Sequence, residues 1–417
     1  MNRAFEVVVV GGGVAGASLA RRLASAGASV LVLERTSRFV DRVRGDVMYP
    51  WGVTEAKALG LLGVMLEGPA RRLPYWRTRF AGFPPPPPRE LAQEVGESAL
   101  AFFHPELQQV LLDSARAAGA RVVRGARVTG VTRRASGPQV SYAVRGEART
   151  ADAALVVGAD GRMSGVSRLA GLEQSADRPR LVLAGTLVTG VPVEHTAELA
   201  DTNQLYLNPP VGAVAMLLPV DQHRTRVYAG YHLAAGRRPE VGRNLKAFLE
   251  LAVTAGAPAA ALAAATQAGP LAGFDGADRW VQTPYADGVA LIGDAAAASD
   301  PSFGSGMALA LLSARLLADA LVAAPTLDAA AVNRAGAAYA ADMSRAYGSL
   351  HRQTSWLTDF YRTPGAAADA VRARRYLVHA AELWRVPDVV GLGPAGASDE
   401  AARHAFLGAD RNTAAWT

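Results

Sequence analysis

A glycine-rich turn near the start of the chain constrains the fold more than any other feature. A strand-like run, Phe5–Val10, leads directly into Gly-Gly-Gly-Val-Ala-Gly at residues 11–16, and a helix-like stretch follows. A second apolar run at residues 29–33 ends in Glu34. A G-x-G-x-x-G turn between a strand and a helix, with an acid about 20 residues further on, is the fingerprint of a dinucleotide-binding βαβ unit. The chain is therefore expected to begin with a Rossmann-like α/β domain.

The glycines of this turn have separate physical roles. Gly11 permits the tight turn, Gly13 lets the backbone approach a pyrophosphate, and Gly16 lets the helix pack closely on the strand. The N-terminus of the helix offers free N–H groups and a partial positive charge to phosphates. Glu34 is placed to accept hydrogen bonds from a ribose hydroxyl. The first domain is therefore expected to bind an adenine dinucleotide, and the turn alone does not say which one.

The composition is that of a packed globular protein and argues against a nucleic-acid partner. With 417 residues, the chain is long enough for two or three domains. Half of the residues are hydrophobic and 19% are charged, which is ordinary for a folded protein. The net charge is +6, but only Lys57 and Lys246 are lysines, and the arginines are scattered rather than gathered in a stripe. We therefore predict that the protein has no nucleic-acid partner.

Cysteine and histidine usage limits the chemistry that the chain can perform. The absence of cysteine excludes disulfides, thiolate nucleophiles and cysteine-bound metals. The histidines show no metal-ligand spacing, so we expect no metal site; they are His104, His195, His223, His232, His351, His379 and His404. The chain has no run of about 18 apolar residues that would span a membrane. Its apolar N-terminal run contains Glu6 and ends in glycines, unlike a signal peptide, so a cytoplasmic protein is expected.

The rest of the chain alternates helix-like and strand-like patterns. Strand-like runs separated by turns between Leu181 and His232 predict an antiparallel sheet. Five consecutive prolines, Pro84–Pro88, predict an extended surface excursion. Helices are predicted over Thr54–Leu61, Pro105–Ala118, Val241–Val253, Pro258–Ala265, Met307–Ala323 and Leu327–Tyr347, with a helical C-terminal cap from about Leu350 that contains Trp356 and Trp384.

Two further turns carry a carboxylate directly after an apolar, strand-like run. Asp160-Gly161 follows one such run, and Gly293-Asp294 follows another. A carboxylate at a strand end accepts hydrogen bonds from hydroxyl groups, so Asp294 suits the ribityl chain of a flavin. Gly304 and Gly306 leave bare backbone N–H groups at a helix start, where they can meet negative charge that develops at N1 and O2 of a flavin.

The three motifs together resemble the group A flavoprotein monooxygenases, the para-hydroxybenzoate hydroxylase-like family. The family pattern is G-x-G-x-x-G, then an internal D-G, then G-D-A-A with a later Pro and G-x-G, and the resemblance covers roughly residues 1–345. It implies a Rossmann-like FAD-binding domain, an inserted antiparallel-sheet substrate domain and C-terminal helices. The predicted boundaries are 1–72, 98–175 and 271–345 for the FAD-binding domain, 73–97 and 176–270 for the substrate domain, and 346–417 for the cap.

The resemblance also implies roles for individual residues. In the family, Asp160 and Gly161 would support the FAD pyrophosphate region and nicotinamide binding, Arg44 would contact FAD, and Pro301 would lie near the reactive face of the flavin. Together with the motifs, this predicts that the FAD contacts are Gly11, Gly13, Val14, Ala15, Gly16, Glu34, Arg35, Arg44, Gln108, Asp160, Gly161, Gly293, Asp294, Pro301, Gly304, Gly306 and Met307.

The chain departs from the family pattern at several places. His104 stands where an arginine often opens the helix after the second β-unit, and it is either a cofactor contact or only a helix-start residue. Ala297 replaces the histidine of G-D-A-A-H. The run Asp300–Gly306 instead resembles the D-P-x-F-S-S-G turn of flavin-dependent halogenases. Those enzymes also carry W-x-W-x-I-P and a catalytic lysine, whereas residues 214–219 lack both tryptophans and Lys57 is interpreted as a surface residue.

The resemblance implies a specific chemistry. NAD(P)H would reduce FAD, O₂ would add at the flavin C4a position, and the hydroperoxide would transfer oxygen to a hydrophobic, aromatic or polycyclic natural-product-like substrate by hydroxylation or epoxidation. Because the cofactor carries out this chemistry, no strong catalytic side chain is required. Pro301 and Gly304 are the candidates at the flavin face, and His232 is a candidate base. The predicted substrate contacts are Trp76, Phe80, Tyr206, Met216, Tyr228 and Tyr231.

Alternatives stay open at this stage. A flavin-dependent halogenase is the second hypothesis, and a flavin-dependent reductase of isoprenoid double bonds is the third. A non-catalytic FAD-fold binding protein is disfavoured, because the glycine turn, Glu34, Asp160 and Asp294 are all intact. No second G-x-G-x-x-G is present for a nicotinamide, which fits either transient NAD(P)H docking or a partner flavin reductase. Both a monomer and a homodimer are compatible with the sequence.

Overall fold

The structure is a computed structural model that describes residues 4–134, 136–191, 200–233, 244–362, 366, 369–370, 372–373 and 387–407. Val241, where one predicted helix begins, and Trp384 of the predicted cap lie outside these residues, as do His195 and His379.

The strands in chain order are β1 (Ala4–Val10), β2 (Val30–Glu34), β3 (Val47–Met48), β4 (Arg71–Leu73), β5 (Tyr75–Phe80), β6 (Arg89–Glu90), β7 (Ala99–Ala101), β8 (Arg121–Arg124), β9 (Ala126–Thr132), β10 (Gln139–Val144), β11 (Glu147–Gly158), β12 (Gln174–Ala176), β13 (Leu181–Thr189), β14 (Thr202–Asn208), β15 (Ala213–Pro219), β16 (Thr225–His232), β17 (Thr266–Gln267), β18 (Ala272–Gly276), β19 (Arg279–Val281), β20 (Tyr285–Ala286), β21 (Val289–Leu291) and β22 (Ala297–Ala298). The α-helices are α1 (Val14–Ser25), α2 (Pro50–Ala58), α3 (Leu62–Glu67), α4 (Leu91–Val95), α5 (His104–Ala117), α6 (Gly165–Leu169), α7 (Leu245–Ala255), α8 (Ala259–Leu262), α9 (Gly306–Val322), α10 (Ala329–Arg362) and α11 (Glu400–Leu407).

The first sheet is mostly parallel and brings the three predicted motifs to one edge. Its strand order is β20-β21-β11-β1-β2-β8, and β9 and β10 extend it from β11. Val7, Val8 and Val9 of β1 are fully buried, as expected for a strand covered on both faces. Gly158 of β11 pairs with Val10 on one side and with Leu291 on the other. The turns after β1, β11 and β21 therefore lie side by side, where ligands bind in open α/β sheets.

The second sheet contains the predicted antiparallel segment. Its strand order is β17-β13-β16-β15-β14-β5-β6, and β18 also pairs with β13. The pairs β13–β16, β16–β15 and β15–β14 are antiparallel, whereas β5 runs parallel to β14. The five prolines have no regular secondary structure between β5 and β6. The predicted fold class, an α/β protein with an antiparallel-sheet insertion and C-terminal helices, is confirmed.

The two faces of the second sheet have different neighbours, because side chains alternate between faces along each strand. On one face, Tyr206 and Tyr231 pack with Phe248 of α7 in a separate apolar cluster. The opposite face, here called the inner face, packs against the main core of the molecule. Its apolar side chains are Trp76, Phe80, Leu181, Leu183, Leu205, Leu207, Val214, Met216, Leu218 and Tyr228.

The helical part differs from prediction in the helix bounds: α2 spans Pro50–Ala58 instead of Thr54–Leu61, α8 ends at Leu262 instead of Ala265, and the largest difference is in α10. The predicted helix end at Tyr347 is wrong, because α10 continues without interruption to Arg362. Residues 329–362 contain no proline, and Gly348 is tolerated inside the helix.

The segment after residue 386 is attached to the insertion and to α2. Arg89 donates from its two terminal nitrogens to the carboxylate oxygens of Asp388, at 3.2 and 3.0 Å. The indole N–H of Trp51 donates to the carbonyl of Val389 at 3.1 Å. Among the described helices, we find none whose length and hydropathy would suit a membrane span.

Candidate functional site

The glycine turn closes over the ends of β1 and β11. Gly11 has a φ of +107°, and a Cβ there would collide with the carbonyl of Ala159. A Cβ on Gly16 would collide with the carbonyl of Gly11. A Cβ on Gly13 has room, since its nearest neighbour is Nε2 of Gln108 at 3.5 Å. Packing therefore requires glycine at positions 11 and 16. Gly13 keeps a surface open at the N-terminus of α1, which no side chain caps.

Glu34 holds the glycine turn in place. One of its carboxylate oxygens accepts the N–H of Gly12 at 2.8 Å, and the other accepts the N–H and the hydroxyl of Thr36, both at 2.7 Å. A carboxylate has about four acceptor positions, so one stays available to a ribose hydroxyl. Arg35, the next residue, is exposed. The predicted contacts of Glu34 and Arg35 with the cofactor stay predictions.

Asp160 caps a helix. Its carboxylate accepts the hydroxyl of Ser164 at 2.6 Å and the N–H groups of Gly165 and Val166 at 2.7 and 3.1 Å. Negative charge and acceptor oxygens at a helix N-terminus stabilise the helix, here α6. Gly161 adopts a φ of +85° beside it. The observed role of Asp160 is therefore to fix the turn after β11, and its predicted role towards FAD stays a prediction.

Asp294 differs from Asp160, because no described residue donates a hydrogen bond to its carboxylate. The side chain is half-buried in the turn after β21. Burial raises the pKa of Asp294, and the positive charges of Arg44 and Arg162 oppose that rise. The two arginines come from separate loops. An acceptor without protein donors, held near two cations, has the capacity to receive the hydroxyl groups of a ligand.

The turn after β22 leads into a helix whose N-terminus no side chain caps. The carboxylate of Asp300 accepts the N–H of Ser302 at 2.8 Å and so fixes the short 3-10 turn that includes Pro301. Gly304 follows with a φ of +61°. No side chain caps α9, so its first N–H groups have no side-chain acceptor, and a Cβ on Gly306 would lie 4.0 Å from a carboxylate oxygen of Asp294.

A buried arginine attaches the second sheet to residues 41–48, here called the arginine loop. Arg226 of β16 is fully buried. Its Nε donates to Asp46 at 2.5 Å, and its Nη2 donates to Asp41 at 2.9 Å. Burial raises the pKa of Asp46 to about 6, and the charge of Arg226 opposes this rise. Sequence reasoning missed this contact, although an arginine inside a strand that is otherwise largely apolar was the available signal.

Two further hydrogen bonds fix backbone carbonyls of the arginine loop. The hydroxyl of Tyr228 donates to the carbonyl of Arg44 at 2.6 Å. Nδ1 of His104 lies 2.8 Å from the carbonyl of Gly45. Burial lowers the pKa of His104 to about 4, so the neutral ring donates this bond at pH 7. His104 therefore supports the loop that carries Arg44, a role that the sequence did not indicate.

The predicted substrate contacts fall on both faces of the second sheet. Tyr206 and Tyr231 pack beneath α7, so they do not line a space between this sheet and the three turns, and the prediction fails for them. Met216 is half-buried on the inner face, and the hydroxyl of Tyr228 is engaged with the arginine loop. His232 is buried at the end of β16, two positions beyond Gly230 and four beyond Tyr228, on the same face.

A second group of titratable side chains lies outside the three turns. Ligand atoms of Asp177, Asp278 and His351 all lie within 4.8 Å of one another. Nε2 of His351 is 2.9 Å from Asp177, and burial raises the pKa of Asp278 to about 6. Arg180 lies 3.5 Å from Asp177, and Tyr347 donates to Asp278 at 3.1 Å. An arginine therefore already supplies positive charge here, and we assign no metal to this group.

Comparison with known proteins agrees with this geometry. Residues 4–344 match the sequence model of the FAD binding domain family. A menaquinone reductase of Mycolicibacterium smegmatis is 28% identical over 346 residues, which are 79% of each chain. The structure of PqsL of Pseudomonas aeruginosa with 2-aminobenzoylacetate has a TM-score of 0.71 and 25% identity, over 86% of this chain and 97% of that one. The p-nitrophenol 4-monooxygenase PnpA of Pseudomonas putida shares the fold, with a TM-score of 0.75 and 20% identity over 92% of this chain and 94% of that one.

The chain belongs to the FAD binding domain family, among the group A flavoprotein monooxygenases. The protein is an FAD-dependent monooxygenase. Its residues fit this cofactor: Gly13 leaves room for a pyrophosphate at an uncapped helix, and Asp294 keeps its acceptor capacity. The uncapped N-terminus of α9 adds donors close to Asp294.

Replacing Gly13 by alanine tests the first of these features. The added methyl has room in the free protein but would occupy the surface that a pyrophosphate must approach. We expect the apoprotein of Gly13→Ala to melt like the wild type, while its dissociation constant for FAD rises roughly tenfold or more. Titration of the apoproteins with FAD, followed by flavin fluorescence, measures this. Gly63→Ala in α3, where a Cβ meets no atom within 4 Å, is the matched control and should bind normally. Unchanged FAD affinity in Gly13→Ala contradicts the assignment.

The half-buried His104 predicts a pH dependence of stability. Its pKa is about 4 in the folded chain and ordinarily about 6.5, so the unfolded state binds more protons between these values. The contribution of His104 to the free energy of unfolding is complete above about pH 6.5 and is lost as the pH falls towards 4, by at most about 1.4 kcal/mol per pH unit. The raised pKa of Asp46 has the opposite effect on the free energy of unfolding over the same pH range. The contribution of His104 is therefore measured by comparing the wild type with a variant that lacks this histidine.

The comparison is made by measuring the free energy of unfolding of the wild type and of His104→Gln by denaturation at several pH values from 4.5 to 7.5. The stability difference should shrink towards acid pH, because only the wild type carries the histidine that must stay neutral. His404→Gln, at a site where the side chain is 59% exposed, is the control and should parallel the wild type at every pH. A pH-independent difference between wild type and His104→Gln would show that this histidine is not held neutral.

Proposed function

We propose that this enzyme uses NAD(P)H and O₂ to hydroxylate or epoxidise a hydrophobic, aromatic or polycyclic substrate that carries at least one uncharged oxygen. The observation that carries the proposal is the inner face of the second sheet. On this face, apolar side chains lie beside buried polar groups that have no partner among the described residues, and the face packs against the core that also contains Val14 and Ala15 of the glycine turn.

The apolar part of this face supports a hydrophobic substrate. Leu205 of β14 and Met216 of β15 are cross-strand partners and stay half-buried, although both lie on the inner face. Trp76 and Phe80 of β5 flank them along the same face. We propose that a planar apolar ring lies over Leu205 and Met216, with Trp76 as one wall. Aromatic and aliphatic side chains contribute most of the burial in sites of this kind.

The polar part supports an uncharged oxygen on the substrate. Asn203 is fully buried, and neither its amide nitrogen nor its amide oxygen has a hydrogen-bond partner among the described residues. The hydroxyl of Thr78 is buried without a partner as well. By strand alternation and the β5–β14 register, both side chains lie on the inner face with Trp76. Leaving such groups unsatisfied costs about 1–3 kcal/mol each, which a carbonyl or hydroxyl of the substrate would offset.

We propose the following path for the cofactor. The pyrophosphate would be held by Gly13 and the start of α1, with Val14, Ala15 and Gln108 nearby. The ribityl chain would be held by Gly293 and Asp294. The flavin would be held by the Pro301–Met307 segment and the arginine loop. The domain boundaries implied by the sequence are part of the same proposal, with residues 1–72, 98–175 and 271–345 forming the FAD-binding domain.

FAD, when bound, supplies the redox chemistry and the reaction with O₂. The chain itself supplies charge, orientation and exclusion of water. Arg44 and Arg162 set a positive field beside Asp294. The inner face holds the substrate away from bulk solvent, and Asn203 and Thr78 orient its oxygen. No side-chain base is required, and His232 stays a candidate only.

Isotope-labelled turnover is the experiment that tests the proposed function. The FAD-loaded enzyme is mixed with NADH or NADPH under ¹⁸O₂, with aklavinone, 2-aminobenzoylacetate or menadione as probe. The masses of the products are then measured by mass spectrometry. We expect at least one probe to accelerate NAD(P)H oxidation and to gain one ¹⁸O atom. A parallel series with added flavin reductase and free FAD determines whether a partner delivers the electrons.

The relative named menaquinone reductase raises a second candidate, the reduction of a quinone substrate by the same flavin. The same experiment separates the two. A product that gains two hydrogens and no oxygen supports the reductase and contradicts the monooxygenase proposal. A chlorinated product in the presence of chloride, or no redox turnover with any probe, contradicts both.

A further inference from the structure

Tyr49 is a buried side chain that sequence reasoning missed. It directly precedes α2 and is 3% exposed. Its ring meets Trp76 edge-on, with the ring centroids 5.2 Å apart and the planes at 81°. A Cβ placed on Gly304 would lie 2.6 Å from the Tyr49 hydroxyl oxygen. The hydroxyl is therefore directed at the turn that leads into α9.

The hydroxyl has no hydrogen-bond partner among the described residues, although buried tyrosines usually find one. Two other buried tyrosines of this chain follow the rule, because Tyr228 donates to the carbonyl of Arg44 and Tyr339 donates to the carbonyl of Leu291. Burial raises the pKa of Tyr49, so its hydroxyl stays protonated and can donate at neutral pH. The Tyr49 hydroxyl is thus a donor without a partner among the described residues, next to an uncapped helix start.

The position of Tyr49 is fixed relative to that helix. Gly52 of α2 packs so closely on Ala308 of α9 that a Cβ on Gly52 would overlap it. Tyr49 precedes α2 by one residue, and its ring is held by Trp76 from the second sheet. The hydroxyl and the free N–H groups of α9 consequently form one rigid set of donors.

We propose that the Tyr49 hydroxyl donates a hydrogen bond to the flavin ring at the edge that also faces the N-terminus of α9. Together, the hydroxyl and the helix N–H groups hold the edge where negative charge gathers when the flavin is reduced. Tyr49 is therefore a cofactor contact that also positions the flavin against Trp76 and the inner face. The inference rests on the flavin lying beside the Gly304 turn, as proposed above.

Tyr49→Phe tests this proposal, because phenylalanine keeps the ring contact with Trp76 and removes only the donor. We expect the apoprotein to melt like the wild type. The FAD dissociation constant should rise roughly two- to tenfold, the range for one lost hydrogen bond. The reduction potential of the bound flavin should become more negative, since the reduced form loses a donor. Fluorescence titration and a spectrophotometric redox titration with a reference dye measure the two effects.

Tyr231→Phe is the matched control, because Tyr231 is a buried tyrosine on the face that packs beneath α7. It should leave both the FAD affinity and the potential unchanged. If Tyr49→Phe binds FAD with wild-type affinity and potential, Tyr49 is only a packing residue and the inference is overturned. If the wild type itself does not take up FAD, the proposed cofactor site fails instead, and this outcome overturns the inference too.

Discussion

The buried contact of Arg226 with Asp41 and Asp46 is the interaction on which the geometry of the site depends. It crosses from the middle of the second sheet to the arginine loop, which follows β2 of the first sheet along the chain. Removing one partner from a buried ion pair leaves an uncompensated charge, which typically costs about 3–5 kcal/mol. The sheet and the arginine loop are therefore held as a unit. Three contacts fix the loop beside Arg44: Tyr228 binds the carbonyl of Arg44, His104 binds that of Gly45, and Arg226 binds the carboxylate of Asp46. They keep the charge of Arg44 near Asp294.

This constraint explains how two separate surfaces would together form the proposed site. The parallel sheet presents three turns at one edge, because the ends of β1, β11 and β21 are in register. The second sheet presents an apolar face with a few buried polar groups. Neither surface performs chemistry alone, since the cofactor carries the reaction and the protein supplies position and charge. The proposed functions of Tyr49, Asn203 and Thr78 all require a fixed separation between the two surfaces.

The sequence predicted the parts of this account that depend on local patterns. The glycine turn and the carboxylates after β11 and β21 are where the motifs placed them, because strand, turn and helix signals lie within a few residues. The roles of Tyr228 and Tyr231 show where local information was underused. They are three positions apart in one strand, so alternation already placed them on opposite faces. It did not indicate which face would be covered by α7.

Contacts between distant segments had no such signal. Arg226 and Asp46 are 180 residues apart, and His351 and Asp177 are 174 apart, so no spacing rule connects them. The sequence did not indicate Tyr49 for the same reason, because its proposed role depends on contacts with Gly304 and with Trp76 of the second sheet, which are distant in the chain. The continuation of α10 through Gly348 was missed because a single glycine weakens a helix without ending it.

Hydrogen exchange of the protein with and without FAD tests the central claim, that one cofactor bridges the three turns and the arginine loop. Backbone amides of the three turns (residues 11–16, 159–162 and 292–296), of the arginine loop (residues 41–48) and of residues 304–307 should exchange more slowly once FAD is bound. Amides of α7, on the far side of the second sheet, should be unaffected. Protection confined to residues 11–16, or protection of α7 with unchanged turns, would contradict the account.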